Sequence, residues 1–316
     1  MEKRNQDLES HFIKEGNKIG RNEGWRYFLG LLFSMFLGQV LGIIPYFITL
    51  SSLGRRADLL AGEMTIPGIG SNWNFLLMML PFMCSFFLLY IYIKRVHKRP
   101  FRSVITPFRK LDYAKFLYAF GVWMFILVVF ELIYYAGNPG NYILQFNFSK
   151  FAFLLLLSIP ALLIQTSYEE LIFRGYGMQW LGRYMPYRIV PLLITSICFG
   201  LMHMSNPEVA AFGPLIIIDY IVVGLALGLV SLLSDSLEFA MGLHFANNLF
   251  AALFLSYDSS ALQTDAVFRL KEVNFSPNTQ LLGVCVAIIF ILVIHLRYPL
   301  KPLRMLWTKD ELKTPS

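Results

Sequence analysis

The stretch Phe151-Ala-Phe-Leu-Leu-Leu-Leu-Ser-Ile-Pro-Ala-Leu-Leu-Ile-Gln165, which runs on through Thr166-Ser-Tyr into Glu169-Glu170, decides how the chain is read. No charge stands between Lys150 and Glu169. About 30 Å of hydrocarbon takes about 20 apolar helical residues, so this run has the dimensions of a membrane helix whose far end turns polar. Similar runs occupy residues 27–50, 73–93, 113–136, about 188–204, about 212–233, 237–256 and 281–296. Backbone groups in lipid must be paired within their own segment, and no stretch alternates as barrel strands do. The expected fold is therefore all-α, a polytopic transmembrane bundle of about eight helices.

Composition agrees. Of 316 residues, 56% are hydrophobic and only 15% charged, a balance that suits lipid better than water. The expected organisation is a basic N-terminal segment at 1–26, a single bundle at 27–298 and a tail at 299–316, with no loop long enough for a second domain. The first apolar run lacks a small-residue cleavage site and follows a polar segment, so it reads as an uncleaved anchor. Cys84, Cys198 and Cys285 are isolated in apolar runs and read as small core residues, neither a disulfide framework nor a thiolate cluster.

Cations fall unevenly. Lys3, Arg4, Lys14, Lys18, Arg21 and Arg26 precede the first run, and Lys94, Arg95, Lys98, Arg99, Arg102, Arg109 and Lys110 crowd the second connection. The alternate connections carry far fewer. By the positive-inside rule both termini and the 94–110 connection are expected in the cytoplasm, beside anionic lipid. That accounts for the net charge of +7 without nucleic acid as a partner.

Three polar insertions interrupt the apolar runs. Glu169, Glu170 and Arg174 lie within six positions, each costing about 2.5–3.5 kcal/mol at mid-membrane, so they must be paired or face a wet cavity. Glu170 and Arg174 are four apart and share a helix face, whereas Glu169 points elsewhere and is the freer carboxylate. His203 closes the fifth run. Met185-Pro186-Tyr187 is the evident turn between the fourth and fifth runs, and both Glu169 and His203 stand 17 positions from Pro186 (186 − 169 and 203 − 186), so a hairpin brings them to one level. His244 and Asn248 are four apart on one face of the seventh run, with Asn247 about 100° away. A carboxylate, two imidazoles and a carboxamide together supply a base for water and donors for an oxyanion, the two needs of amide hydrolysis. Glu169, His203 and His244 are also legitimate zinc ligands with one position left for water, an alternative in which zinc serves as cofactor. A transporter or a non-enzymatic scaffold would bury similar groups, but no inverted repeat is found. Asp219 and Glu131 are isolated acids, expected to be interfacial or hydrogen-bonded.

The pieces Glu169-Glu-Leu-Ile-Phe-Arg174, Phe199-Gly-Leu-Met-His203 and His244-Phe-Ala-Asn-Asn248, in that order, resemble the three motifs of the CAAX-protease and bacteriocin-processing family of intramembrane proteases. That family includes the Ras-converting prenyl-protein endopeptidases and prokaryotic immunity proteins. The resemblance covers about residues 151–256, the expected catalytic core. It implies that Glu169 activates water, that His203 helps hold it, and that His244 and Asn248 stabilise the oxyanion. Arg174, paired with Glu170, would be structural. No cofactor is then expected, and the partners are membrane lipid and a protein or peptide substrate, processed in CAAX fashion or in bacteriocin or immunity fashion.

Overall fold

The computed structural model describes residues 11–15, 18–54, 65–273 and 275–309. The expected terminal segments 1–26 and 299–316 thus lie partly outside the described residues. Eight principal helices follow the eight apolar runs: α1 Gly24–Ser52, α2 Ser71–Arg95, α3 Tyr113–Gly137, α4 Phe148–Leu181, α5 Ile189–Met202, α6 Ile216–Ser234, α7 Glu238–Phe254 and α8 Pro277–Arg297. Six of them, all but α5 and α7, are long and apolar enough to cross a membrane. The chain is accordingly a multi-pass, mostly helical membrane protein.

Local sequence sets the helix ends. Asp112 caps α3 by accepting from the backbone N–H groups of Ala114 and Lys115, Asn147 caps α4 through Lys150, and Ser276 with Thr279 forms a reciprocal capping box on α8. Helix α5 stops at Met202, with His203 as its C-cap, before Pro207 opens the short helix Pro207–Phe212.

Helices α4 and α7 form the centre. Helix α7 packs on α3, α4 and α6, and α2 covers the other side of α4. Most of α7 is buried, from Glu238 to Leu253, whereas in α3 only Ala119 is buried. A helix apolar all round with one small buried residue presents the rest of its surface to lipid. Cys198 and Cys285 share that exposure and Cys84 is half-buried, so two of the three cysteines are surface residues, not the core residues expected. In lipid an exposed thiol carries no hydration penalty, which is why apolar context did not predict burial.

Small residues set the approach of α1 to α2. A Cβ on Gly42 would lie 2.2 Å from the Cα of Pro81, and one on Gly38 2.5 Å from the Cα of Ser85. Both obstacles are backbone, so Gly38-x-x-x-Gly42 is a close-contact stripe of the kind that lets membrane helices touch.

At one end of the bundle a small sheet joins the connections: β1 Tyr142–Leu144 pairs antiparallel with β3 Phe268–Leu270, which pairs parallel with β2 Leu255–Ser256. At the other end Asp235, left-handed at φ 59°, accepts from the backbone N–H groups of His11 and Phe12 and from Lys301 Nζ. Both ends of the described chain therefore meet on one side. There, too, lies His97, fully buried, whose Nδ1 donates to the Arg21 carbonyl at 2.7 Å and whose Nε2 meets the Tyr176 hydroxyl at 2.7 Å.

Two outcomes are expected of this packing. Gly42→Val pushes backbone from backbone and lowers the thermal midpoint of the detergent-solubilised protein, whereas Gly121→Ala, where a Cβ meets nothing within 4 Å, leaves it level or raises it. Burial, and after it the charge of Arg99, holds the His97 imidazole down at about 4 against an ordinary value of about 6.5. The unfolded chain then binds a proton that the folded chain refuses between those values, so stability falls as pH drops from 6.5 toward 4. Thermal melts across that window should show the decline in wild type and a shallower one in His97→Gln.

Candidate active site

The polar insertions converge. Gln165, Glu169, His203, His244, Asn247 and Asn248 all line one cavity of about 480 Å³ whose remaining lining is mostly apolar side chains of α3, α6 and α8, with Asp219, Thr279 and Gln280 among them. Glu169 and Glu170 end the regular part of α4. Beyond them the helix widens into a π turn at Leu171–Gly177 and then continues to Leu181, 34 residues without a break. Wide turns of this kind recur at functional sites.

Glu170 faces inward and is fully buried. One of its oxygens, Oε1, accepts from Arg174 Nη1 at 2.9 Å and from His244 Nδ1 at 2.8 Å. The expected Glu170–Arg174 pair is thus present and carries a second load: it orients the imidazole of His244. Arg174 also donates through Nη2 to the Gly224 carbonyl at 3.1 Å and lies 4.3 Å from the ring centroid of Phe199. With Nδ1 committed to Glu170, His244 turns Nε2 toward Glu169, 3.5 Å from Oε2.

Glu169 is nearly buried, and its two oxygens differ. Oε1 accepts from Gln165 Nε2 at 2.6 Å, whereas Oε2 makes no hydrogen bond. Gln165 in turn accepts from Asn248 Nδ2 at 3.0 Å through Oε1, so one carboxamide bridges the carboxylate on α4 and the carboxamide on α7.

His203, at the end of α5, donates from Nδ1 to the Phe199 carbonyl at 2.7 Å, which leaves Nε2 as the ring nitrogen with a lone pair. Its ring stacks on Tyr220 with centroids 4.2 Å apart and planes 20° from parallel. The hairpin expected about Pro186 is formed, with α4 ending at Leu181 and α5 starting at Ile189, and it brings Glu169 and His203 to the same cavity. Among the described residues no group of three or more His, Cys, Asp or Glu is arranged to hold a metal ion. Glu131 accepts from the Tyr142 hydroxyl and Asp219 from Gln280, as expected of isolated acids in spans.

Gln165, Tyr220 and Trp123 were not singled out in the sequence. Gln165 had a signal, since it stands four residues before Glu169 on the same helix face in an otherwise apolar run. Tyr220 and Trp123 had none, because an aromatic residue in a membrane helix ordinarily meets lipid. Asn247, about 100° round the helix from Asn248, also lines the cavity.

Comparison with known proteins fits this geometry. The family described as type II CAAX prenyl endopeptidase Rce1-like matches residues 150–250, the segment that holds every one of these motifs. The uncharacterized protein YyaK of Bacillus subtilis (strain 168) is 30% identical over 247 residues, covering 76% of this chain and 81% of that protein. No solved structure matches the chain. Three ordered motifs that fold into one cavity, together with these two similarities, identify the chain as a member of the Rce1-like family of type II CAAX prenyl endopeptidases.

Proposed function

We propose that the protein is an intramembrane endopeptidase that hydrolyses peptide bonds of membrane-associated or lipidated proteins with water activated by Glu169. The observation that carries this reading is the pair of unlike oxygens on Glu169. Oε1 is taken by Gln165, and Oε2 is unpartnered beside His244 in a cavity. A buried carboxylate oxygen without a donor is a place for the proton of a water molecule.

In this mechanism water sits against Glu169 Oε2 and the free Nε2 of His203, donating a hydrogen bond to each. Its oxygen attacks the scissile carbonyl carbon as Glu169 takes one proton, and the carbonyl becomes an oxyanion. Asn248 has a second N–H beyond the one given to Gln165, and His244 with a proton on each nitrogen donates from Nε2; both stabilise that oxyanion. Glu169 then passes its proton to the amide nitrogen, and the carbon–nitrogen bond breaks. No step in this mechanism needs a metal.

The substrate reading follows from the other walls. Ile126, Leu127 and Phe130 of α3, Val223 of α6 and Val286 of α8 give the cavity an aliphatic and aromatic side that suits apolar residues or a lipid chain next to the cleaved bond, in CAAX-type processing or in processing of bacteriocin or immunity type. We further propose that all eight helices cross or enter the membrane as one bundle at 27–298, with the catalytic core at 151–256 and both termini cytoplasmic. Two features support this. The described ends of the chain meet at Asp235, and α4, at about 1.5 Å per residue, is about 51 Å long and must extend past about 30 Å of hydrocarbon.

Reconstituted protein is expected to cleave an internally quenched, farnesylated peptide ending in a CAAX sequence, and Glu169→Gln to lose about 10²–10⁴-fold in kcat, the usual worth of a general base. Mass spectrometry of membrane peptides extends the comparison to unlipidated substrates. Equal cleavage by both proteins would sink the mechanism, and cleavage by neither would favour a non-enzymatic immunity or transport role. Activity is also expected to survive a strong chelator. Loss on chelation that zinc alone restores would replace the glutamate mechanism with a metal-dependent one.

A further inference from the structure

Five residues of the cavity wall are joined end to end by hydrogen bonds that all run one way. The Trp123 indole Nε1–H donates to Asn247 Oδ1 at 3.3 Å, and Asn247 Nδ2 donates to Asn248 Oδ1 at 3.3 Å. Asn248 Nδ2 donates to Gln165 Oε1 at 3.0 Å, and Gln165 Nε2 donates to Glu169 Oε1 at 2.6 Å. The bonds shorten toward the carboxylate.

The two ends fix the direction. An indole nitrogen can only donate, and an ionised carboxylate only accepts. Between them stand three carboxamides, each able to flip in principle. Flipping any one would set donor against donor on one side and acceptor against acceptor on the other, so a single orientation satisfies the whole chain. Aligned bonds of this kind polarise one another, and the effect is greatest where water is excluded.

We infer that this chain is a polarised hydrogen-bond wire that positions the Glu169 carboxylate, and that Gln165 and Trp123 are its positioning residues. The inference rests on the reading of Glu169 as the base. By occupying Oε1, the wire leaves Oε2, 3.5 Å from His244 Nε2, as the oxygen that meets water. It also fixes which hydrogens of Asn248 remain for an oxyanion, because one is committed to Gln165. Base and oxyanion donor are thus held by the same amide.

The wire has a far end as well as a near one. It crosses from α3 through α7 to α4, and the Trp123 ring packs edge-on against Phe290 of α8 with centroids 5.4 Å apart. Helices α3 and α8 supply much of the apolar side of the cavity. A substrate chain lying on that side touches the ring whose N–H begins the wire, so occupancy of the apolar wall is felt at the carboxylate. The chain ends on Glu169 Oε1 and leaves Oε2 of the same carboxylate without a donor, facing the cavity.

Three substitutions separate the parts. Trp123→Phe keeps an aromatic ring and removes the N–H. Gln165→Glu keeps the shape and the acceptor for Asn248 but removes the donor to Glu169, and Gln165→Leu removes both. With the quenched prenylated peptide, either Gln165 variant is expected to lose about 10²-fold in kcat, as a misplaced catalytic group does. Trp123→Phe is expected to lose several-fold, with KM held within about twofold in every case. Because both residues act through one chain, the Trp123→Phe, Gln165→Leu double variant should be no worse than Gln165→Leu alone. An unchanged kcat in either Gln165 variant, or losses that multiply in the double variant, overturns the wire. A second readout needs no turnover: the infrared carboxyl band assigned to Glu169 by difference against Glu169→Gln should move in both Gln165→Leu and Trp123→Phe. A band that stays in place overturns the inference whether or not any peptide is cleaved. A band that moves while Glu169→Gln remains fully active retires the catalytic reading of Glu169 and leaves the wire standing as structure.

Discussion

The charge balance of this bundle turns on one oxygen. Glu170 Oε1 meets the Arg174 guanidinium at 2.9 Å and the His244 imidazole at 2.8 Å, and both Glu170 and Arg174 are fully buried. A lone ion in such surroundings is prohibitively costly, and breaking a buried pair by deleting one member costs about 3–5 kcal/mol. The three groups therefore have to stay together, and their helices with them. Arg174 and Glu170 stand on α4, His244 on α7, the Gly224 carbonyl that takes the second Arg174 donor on α6, and the Phe199 ring beneath the guanidinium on α5. Gly224 can approach because it lacks a side chain; a Cβ there would sit 3.1 Å from the Ser196 carbonyl oxygen and 3.3 Å from Arg174 Nη2. Four helices are thus pinned at one point. Glu169 is the next residue along.

That adjacency explains why the site sits where α4 changes geometry. Two neighbouring carboxylates on a regular helix point about 100° apart, so one can serve the buried pair while the other enters the cavity. The π turn at Leu171–Gly177 begins immediately after them, and its glycines admit other elements closely: a Cβ on Gly175 would lie 2.6 Å from the Val104 carbonyl oxygen. Below the turn, Gln179 donates to the carbonyls of Phe12 and Ser103, and Tyr176 meets His97. The lower part of α4 is anchored to the N-terminal segment and to the connection after α2. A carboxylate carried on a helix fixed above and below has little freedom to drift, which suits the role proposed for Glu169, where placement within a few tenths of an ångström matters.

How far the sequence foretold this depends on the kind of signal each residue sends. Charged and imidazole side chains inside apolar runs are costly enough to be conspicuous, so Glu169, Glu170, Arg174, His203 and His244 stood out, and helix phase separated the two glutamates. Hairpin arithmetic about Pro186 placed His203 opposite Glu169 because turns between antiparallel helices conserve depth. Gln165 was less visible, since a neutral carboxamide is cheap in a membrane bundle and most often joins helices. Trp123 and Tyr220 were invisible for a physical reason: an aromatic ring costs nothing in lipid, and only its polar edge or its stacking partner reveals a role. The second partner of Glu170 was hidden for another reason. The i to i+4 rule finds Arg174 within α4, but it says nothing about what α7 brings from 74 residues away. The π turn left no trace in composition.

The cavity that results is divided by chemistry. The linked hydrogen-bonding groups around Glu169 come from α4, α5 and α7, the helices nearest the pinned charges, whereas α3, α6 and α8 supply most of the apolar lining, with the Asp219–Gln280 pair as a separate polar spot. Under the proposed function, a peptide amide brought into this space finds most of its partners along the α4, α5 and α7 side. In the proposed reaction its carbonyl would lie on the Asn248 and His244 side, and apolar groups flanking the bond would rest against the opposite helices. On that reading the substrate's own amphiphilicity would orient it. The same division accounts for Trp123, the residue that belongs to both walls: its ring lies among the apolar side chains and its N–H enters the polar network. Tryptophan is the one side chain that can present a large apolar face and still donate, without accepting, to a carboxamide at its edge. A tyrosine there could also accept, a capacity for which the network has no use. A phenylalanine would leave it without a beginning.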